Sequence, residues 1–237
     1  MTGSDAVGLV EAARRCVRFI SLVVFGTLAS ALLVSCGTQR SPVASDATET
    51  CERVDESLLR TRLADYEPAG SLSTLIQASG HDMILSGQIA GFTQGPIVPV
   101  SGEPEFPERF VVMQVDVSRT LVMRDERLVD RDSVYIPVPQ GPVDAETSEP
   151  VYSVKAFERA IPSGTKVVVL AKPAVPDLAR LNRGLPIGAE FTSTGIQGLF
   201  LDDCGEMIGG FDDVPGTQGW SRLKTIEQLE AGVERLA

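Results

Sequence analysis

Five carboxylates crowd one stretch near the end of the chain: Asp202, Asp203, Glu206, Asp212 and Asp213. Closely spaced hard oxygens are what Ca²⁺ takes as ligands, and paired acids are what a carboxylate-based hydrolase uses. Their spacing does not follow the EF-hand loop, so these residues are metal candidates by proximity alone, and a solvated acidic turn is the competing reading. Two serines stand three positions before a lysine, at Ser163–Lys166 and Ser221–Lys224. A serine nucleophile can use a lysine one helical turn away. The first pair opens a strand pattern, and the second lies near the chain end with no K-T-G or S-D-N partner. Both read as turn or cap residues. His81 is the only histidine, so the chain can build neither a Ser-His-Asp triad from a second histidine nor a zinc site with two. Between Gly80 and Asp82 it reads as an exposed loop residue. Trp220, the only tryptophan, reads as a core anchor. No catalytic constellation emerges, and the chain reads as a non-enzyme with no cofactor beyond a covalent lipid.

The lipid follows from residues 14–36. Arg14, Arg15 and Arg18 precede an uncharged apolar run over 19–34, and Leu33-Val34-Ser35-Cys36 closes it. A positive lead, an apolar centre and small residues before a cut site are the marks of a secretory signal. The closing four residues resemble the lipobox of bacterial lipoproteins. The resemblance implies removal of residues 1–35, a diacylglyceryl thioether on Cys36 and acylation, typically with palmitate, of the new amino group. Two or more acyl chains hold a protein stably at a membrane. Two other readings stay open: an uncleaved membrane helix, for which the run is shorter than the roughly 20 residues a span needs, and an ordinary secretory signal with Cys36 incidental.

Residues 36–50 are small, polar and aperiodic, as a lipidated flexible tether should be. Residues 51–237 suit one extracytoplasmic domain. The net charge of −11 argues against nucleic acid and anionic lipid surfaces as partners. If Cys16 leaves with the signal and Cys36 is lipidated, Cys51 and Cys204 remain in an oxidising compartment, where they should form a disulfide. Two buried free thiols are the alternative.

Helical spacing of Val54, Leu58, Leu59 and Leu63 predicts a helix over 51–66, and a second short apolar stretch carries Leu72, Leu75 and Ile76. Alternation predicts strands at 83–89, bent at Gly87 and Gly91, and at 110–121. The Pro-rich stretch 95–107 predicts an exposed loop. Val134, Ile136 and Val138, interrupted by Pro137 and Pro139, predict an edge strand. Residues 166–171 are apolar on both faces and predict a buried strand. Residues 191–201 and 207–211 predict a final hairpin. Leu223, Ile226, Leu229, Val233 and Leu236 form the stripe of a C-terminal helix, with a capping-box pattern at Thr225 and Gln228. Strands do not alternate with helices, so the fold class is mainly β (α+β): a small antiparallel barrel with an N-terminal and a C-terminal helix. The order of elements resembles OB-like barrels of secreted bacterial proteins of unknown function. There a V-x-G-x-V segment opens the barrel, matched here by 84–89, and a Gly-Thr-Lys turn leads into an apolar strand, matched by Gly164-Thr165-Lys166.

The expected protein is a lipoprotein held at the cell membrane and facing away from the cytoplasm. Its body would bind an envelope protein or a small ligand; a carboxylate-based hydrolase or a Ca²⁺-binding surface protein is the alternative.

Overall fold

A computed structural model of the protein describes residues 51–60, 66–78, 80–100, 103–130, 132–144, 146–174, 181 and 183–237. The signal and tether lie outside the described residues. Within them the chain is mainly an antiparallel sheet. Its strands are β1 (Met83–Val100), β2 (Glu103–Met123), β3 (Ser133–Pro139), β4 (Lys166–Pro173), β5 (Thr192–Ser193), β6 (Leu199–Asp203) and β7 (Glu206–Gly209). Its helices are α1 (Leu72–Ala78), α2 (Val154–Ala160) and α3 (Ile226–Leu236).

The pairing order β3-β2-β1-β4-β6-β7, with β5 on β4, curls back on itself. Tyr135 of β3 bridges Phe191 in parallel, just before β5, and the Thr192 hydroxyl donates to the Tyr135 carbonyl at 3.1 Å. A single bridge thus links β3 to the segment that leads into β5, and through β5 to β4. Gly87 makes the curl possible. A Cβ there would strike the Asp116 carbonyl of β2, and the ladder shifts register at Ser86/Gly87 and again at Ile89/Gly91.

Alternation decides what the barrel buries. Val111, Met113 and Val115 of β2 and Val134, Ile136 and Val138 of β3 fill the interior, with Phe157 of α2 among them. Strand β4 is apolar on both faces because both are covered. Val167, Val169 and Ala171 point into the barrel, whereas Val168 and Leu170 meet a second core built by α1, α3, Phe200 and Trp220. Helix α3 buries Ile226, Leu229 and Val233 there. It starts at Thr225, whose side chain accepts from the Gln228 N–H, while the Gln228 side chain accepts from the Lys224 N–H at 2.7 Å. Strand β3 is one end of the ladder order, as its prolines predict, and meets the segment beyond it only at the Tyr135–Phe191 bridge and the Thr192 hydroxyl.

Two expectations need correction, and one helix was not expected. The stretch 51–60 is not an α-helix: it is extended, with a single 3-10 turn at Glu56–Leu58, and 61–65 lie outside the described residues. The Val54 and Asp55 N–H groups donate to Asp203 and to the Ala160 carbonyl, so tertiary bonds hold the chain open; the N-terminal helix of the body is α1. The Pro-rich stretch is not a loop. Gly95–Val100 continue β1 and residues 103–107 belong to β2, with 101–102 outside the described residues. Prolines are tolerated because β4 reaches only residues 83–88 of β1, and the ladder is irregular at Gln94/Ile97 and Val98/Val100. Helix α2 is the third difference: seven residues show too little periodicity to be read.

Candidate ligand-binding cavity

Two aperiodic segments, distant in sequence, face each other beside the second core. One is 66–75, which leads into and begins α1. The other is 194–198, the loop between β5 and β6. Glycine shapes the second segment: Gly195 sits at φ +65°, and a Cβ on Gly198 would collide with the Thr194 carbonyl and meet the Leu170 carbonyl at 2.6 Å. The two are tied side chain to backbone. Gln197 Oε1 accepts from the Ala69 N–H at 2.7 Å, and the Trp220 indole donates to the Ala69 carbonyl at 2.7 Å. Thr217 donates to the Gly70 carbonyl at 2.7 Å.

Between these segments lies a cavity of about 610 Å³, whose lining includes Tyr66, Glu67, Leu75, His81, Lys172 and Gln197. That volume falls in the range that holds small ligands, about 300–1,000 Å³. Its wall carries an anomaly. Both ring nitrogens of His81 and the Nε2 of Gln197 are buried without a hydrogen-bond partner. A buried polar group left unpaired costs about 1–3 kcal/mol, and the three such atoms belong to two residues that line one cavity. His81 is only 5% exposed, which corrects its reading as an exposed loop residue. Gly80 (φ +54°) turns the chain so that the imidazole enters the wall. Burial, reinforced by the Lys172 ammonium and opposed by Asp82, pushes its pKa down to about 4. The ring is thus neutral at pH 7, with one donor and one acceptor nitrogen.

The remaining lining hydroxyls have internal partners. Tyr66 donates to Asp212, and burial together with that carboxylate pushes the phenol pKa up. Thr74 bonds Ser71 at 2.9 Å, and Thr194 donates to the Gly195 carbonyl at 3.0 Å.

The acidic residues singled out by sequence do not converge. Asp203 is buried; it receives Arg53 Nη1 at 2.9 Å and the Val54 N–H at 3.0 Å. Asp202 accepts from the Gly205 N–H at 3.0 Å in the β6–β7 turn. Asp213 meets Arg60 at 2.6 Å, and Asp212 accepts a hydrogen bond from the Tyr66 hydroxyl. Glu206 is exposed at the start of β7. Among the described residues, no three metal-ligating side chains cluster. The serine–lysine pairs are likewise structural: Lys166 pairs with Glu227 at 3.0 Å, and Ser221 donates to the Gln218 carbonyl at 2.9 Å. Trp220 is a core anchor, 1% exposed. Cys51 and Cys204 form a disulfide, Cα atoms 5.6 Å apart. Cys204 and Gly205, at φ +58° and +87°, make the two-residue β6–β7 turn, whose geometry calls for two positive φ values. Cys36 lies outside the described residues.

Sequence patterns missed the cavity because its two walls have no period; its one local sign is Gln197 between Gly195, at positive φ, and Gly198, which has no room for a Cβ. No family model matches the chain, and comparison with curated proteins and with solved structures finds no match.

Proposed function

We propose that this chain is a lipid-anchored binding protein facing away from the cytoplasm, and that its barrel body holds a small ligand in the cavity between 66–75 and 194–198. The unpartnered His81 ring and Gln197 amide carry the reading of the body, since a ligand's polar atoms would complete them. The lipobox residues 33–36 support the anchor. A neutral imidazole of low basicity, beside hydroxyls already bonded within the protein, favours holding a ligand over turning it over.

Thermal unfolding of the protein against Ca²⁺, chelator and a panel of polar metabolites tests the body. A ligand at 100 times its dissociation constant adds about 2.7 kcal/mol of stability, and the expected shift disappears in Gln197→Glu. A flat response across the panel removes the small-ligand reading and moves the weight to a protein partner. For the anchor, cells fed an alkyne-tagged palmitate should label the wild type and not Cys36→Ser, whose residues 1–35 should stay uncut. A wild-type protein that takes no label, keeps residues 1–35 and stays membrane-bound would identify the apolar run as a membrane helix instead.

A further inference from the structure

The cavity's free polar groups are unequal in what they offer. Gln197 has its oxygen bonded to Ala69, which fixes the amide orientation and leaves an N–H₂ donor pair. Lys172 is exposed and has no ion pair among the described residues. The hydroxyls of Tyr66, Thr74 and Thr194 have internal partners. His81, neutral, contributes one donor and one acceptor. Among the described residues Glu67 is the one carboxylate of the lining, and it is exposed. Donors therefore dominate the inner wall, and one of the nearby donors is a cation. The complement is an acceptor-only group with two oxygens and a negative charge. The overall negative charge of the chain does not forbid this, because screening limits its reach to about 8 Å at physiological salt. Leu75 and Ile196 supply apolar surface for the rest of the molecule.

We propose that the cavity takes a small carboxylate with an apolar body, its oxygens meeting the Gln197 N–H₂ and the Lys172 ammonium and its body lying on Leu75 and Ile196. This rests on the reading of the cavity as a ligand site. A bound anion near the imidazole favours the protonated ring, so binding is linked to proton uptake at His81.

The sole histidine makes this measurable without assignment ambiguity. The C2–H resonance of His81 is followed by NMR in the full, untagged chain during titration with isovalerate, isovaleramide and glucose. Isovalerate is expected to move the resonance and raise its titration midpoint, and the amide to bind at least tenfold more weakly. Lys172→Met, at an exposed position, and Gln197→Glu, which keeps the acceptor for Ala69, should each weaken isovalerate at least tenfold. Equal binding of acid and amide, a response to glucose alone, or affinity untouched by both substitutions overturns the carboxylate assignment while leaving a ligand site standing. A metabolite-panel shift without any isovalerate response does the same. Silence in both experiments removes the ligand site as well.

Discussion

The indole of Trp220 donates to the carbonyl of Ala69 at 2.7 Å, and Ala69 donates its own N–H to Gln197. One backbone unit thus joins the second core to the far wall of the cavity. Trp220→Phe keeps most of the buried ring, which stacks near Phe200 with centroids 5.6 Å apart, but leaves the Ala69 carbonyl without its donor. The expected loss is about 1–3 kcal/mol. At about 2–4 °C per kcal/mol for a domain of this size, circular-dichroism melting should show it. A melting temperature equal to wild type would mean that water replaces the indole at no cost.

Glycines 195 and 198 should differ sharply although they are three residues apart. Gly195 has positive φ but open space around it, so Gly195→Ala should cost about 1–2 kcal/mol of left-handed backbone strain. At Gly198 the added methyl meets two backbone carbonyls that cannot rotate away. Gly198→Ala should destabilise by more than about 3 kcal/mol and disturb the loop that carries Gln197, as overpacking against fixed atoms does. Urea unfolding of the two variants decides; equal midpoints would show that the 194–198 loop relaxes freely.

The barrel was legible and the cavity was not, for a physical reason. Alternation at 110–121 and 134–138, and double-sided apolarity at 166–171, are each written in consecutive residues, because each strand meets one or two continuous surfaces. The burial of His81 is written nowhere near it: its neighbours are Gly80 and Asp82, and the walls that cover it come from 66–75 and 194–198. The Pro-rich arm misled in the opposite direction. Proline excludes a regular paired position, yet an irregular two-stranded extension, with no ladder on its other side among the described residues, accommodates four of them. The extended course of 51–60 is likewise set by Asp203 and Cys204, some 150 positions away in sequence.

The Cys51–Cys204 bridge closes a separation of 153 positions and pins the N-terminal stretch to the β6–β7 turn beside the Arg53–Asp203 pair. Loop entropy restricts the unfolded chain, and a bridge of this span should contribute roughly 2–5 kcal/mol. Both sulfurs belong to exposed residues, so mild reductant should reach them without unfolding the barrel. Reduction, or the double substitution to serine, should lower the melting temperature by about 5–15 °C and expose 51–60 to protease before the sheet. Mass mapping that finds both thiols free in protein taken from cells would remove this contribution.

His81 should give the protein an acid-sensitive step that begins above the usual carboxylate range. Its pKa is about 4 in the folded protein and about 6.5 unfolded. Between those values the unfolded chain binds the extra proton, so stability rises with pH across the window. The contribution is fully present above pH 6.5 and is lost as pH falls toward 4. Burial and the Lys172 ammonium cause the depression, and Asp82 opposes it. Asp55, Asp125 and Asp144, whose pKa values are held below the normal 3.8 by local hydrogen bonds, act below this window and do not blur it. His81→Leu should flatten the slope between pH 6.5 and 4, and Lys172→Met should shift its midpoint upward by removing the nearby cation. Urea midpoints measured across that range, for the three proteins at constant ionic strength, test this directly. A His81→Leu protein that keeps the wild-type slope would assign the step to groups other than the imidazole.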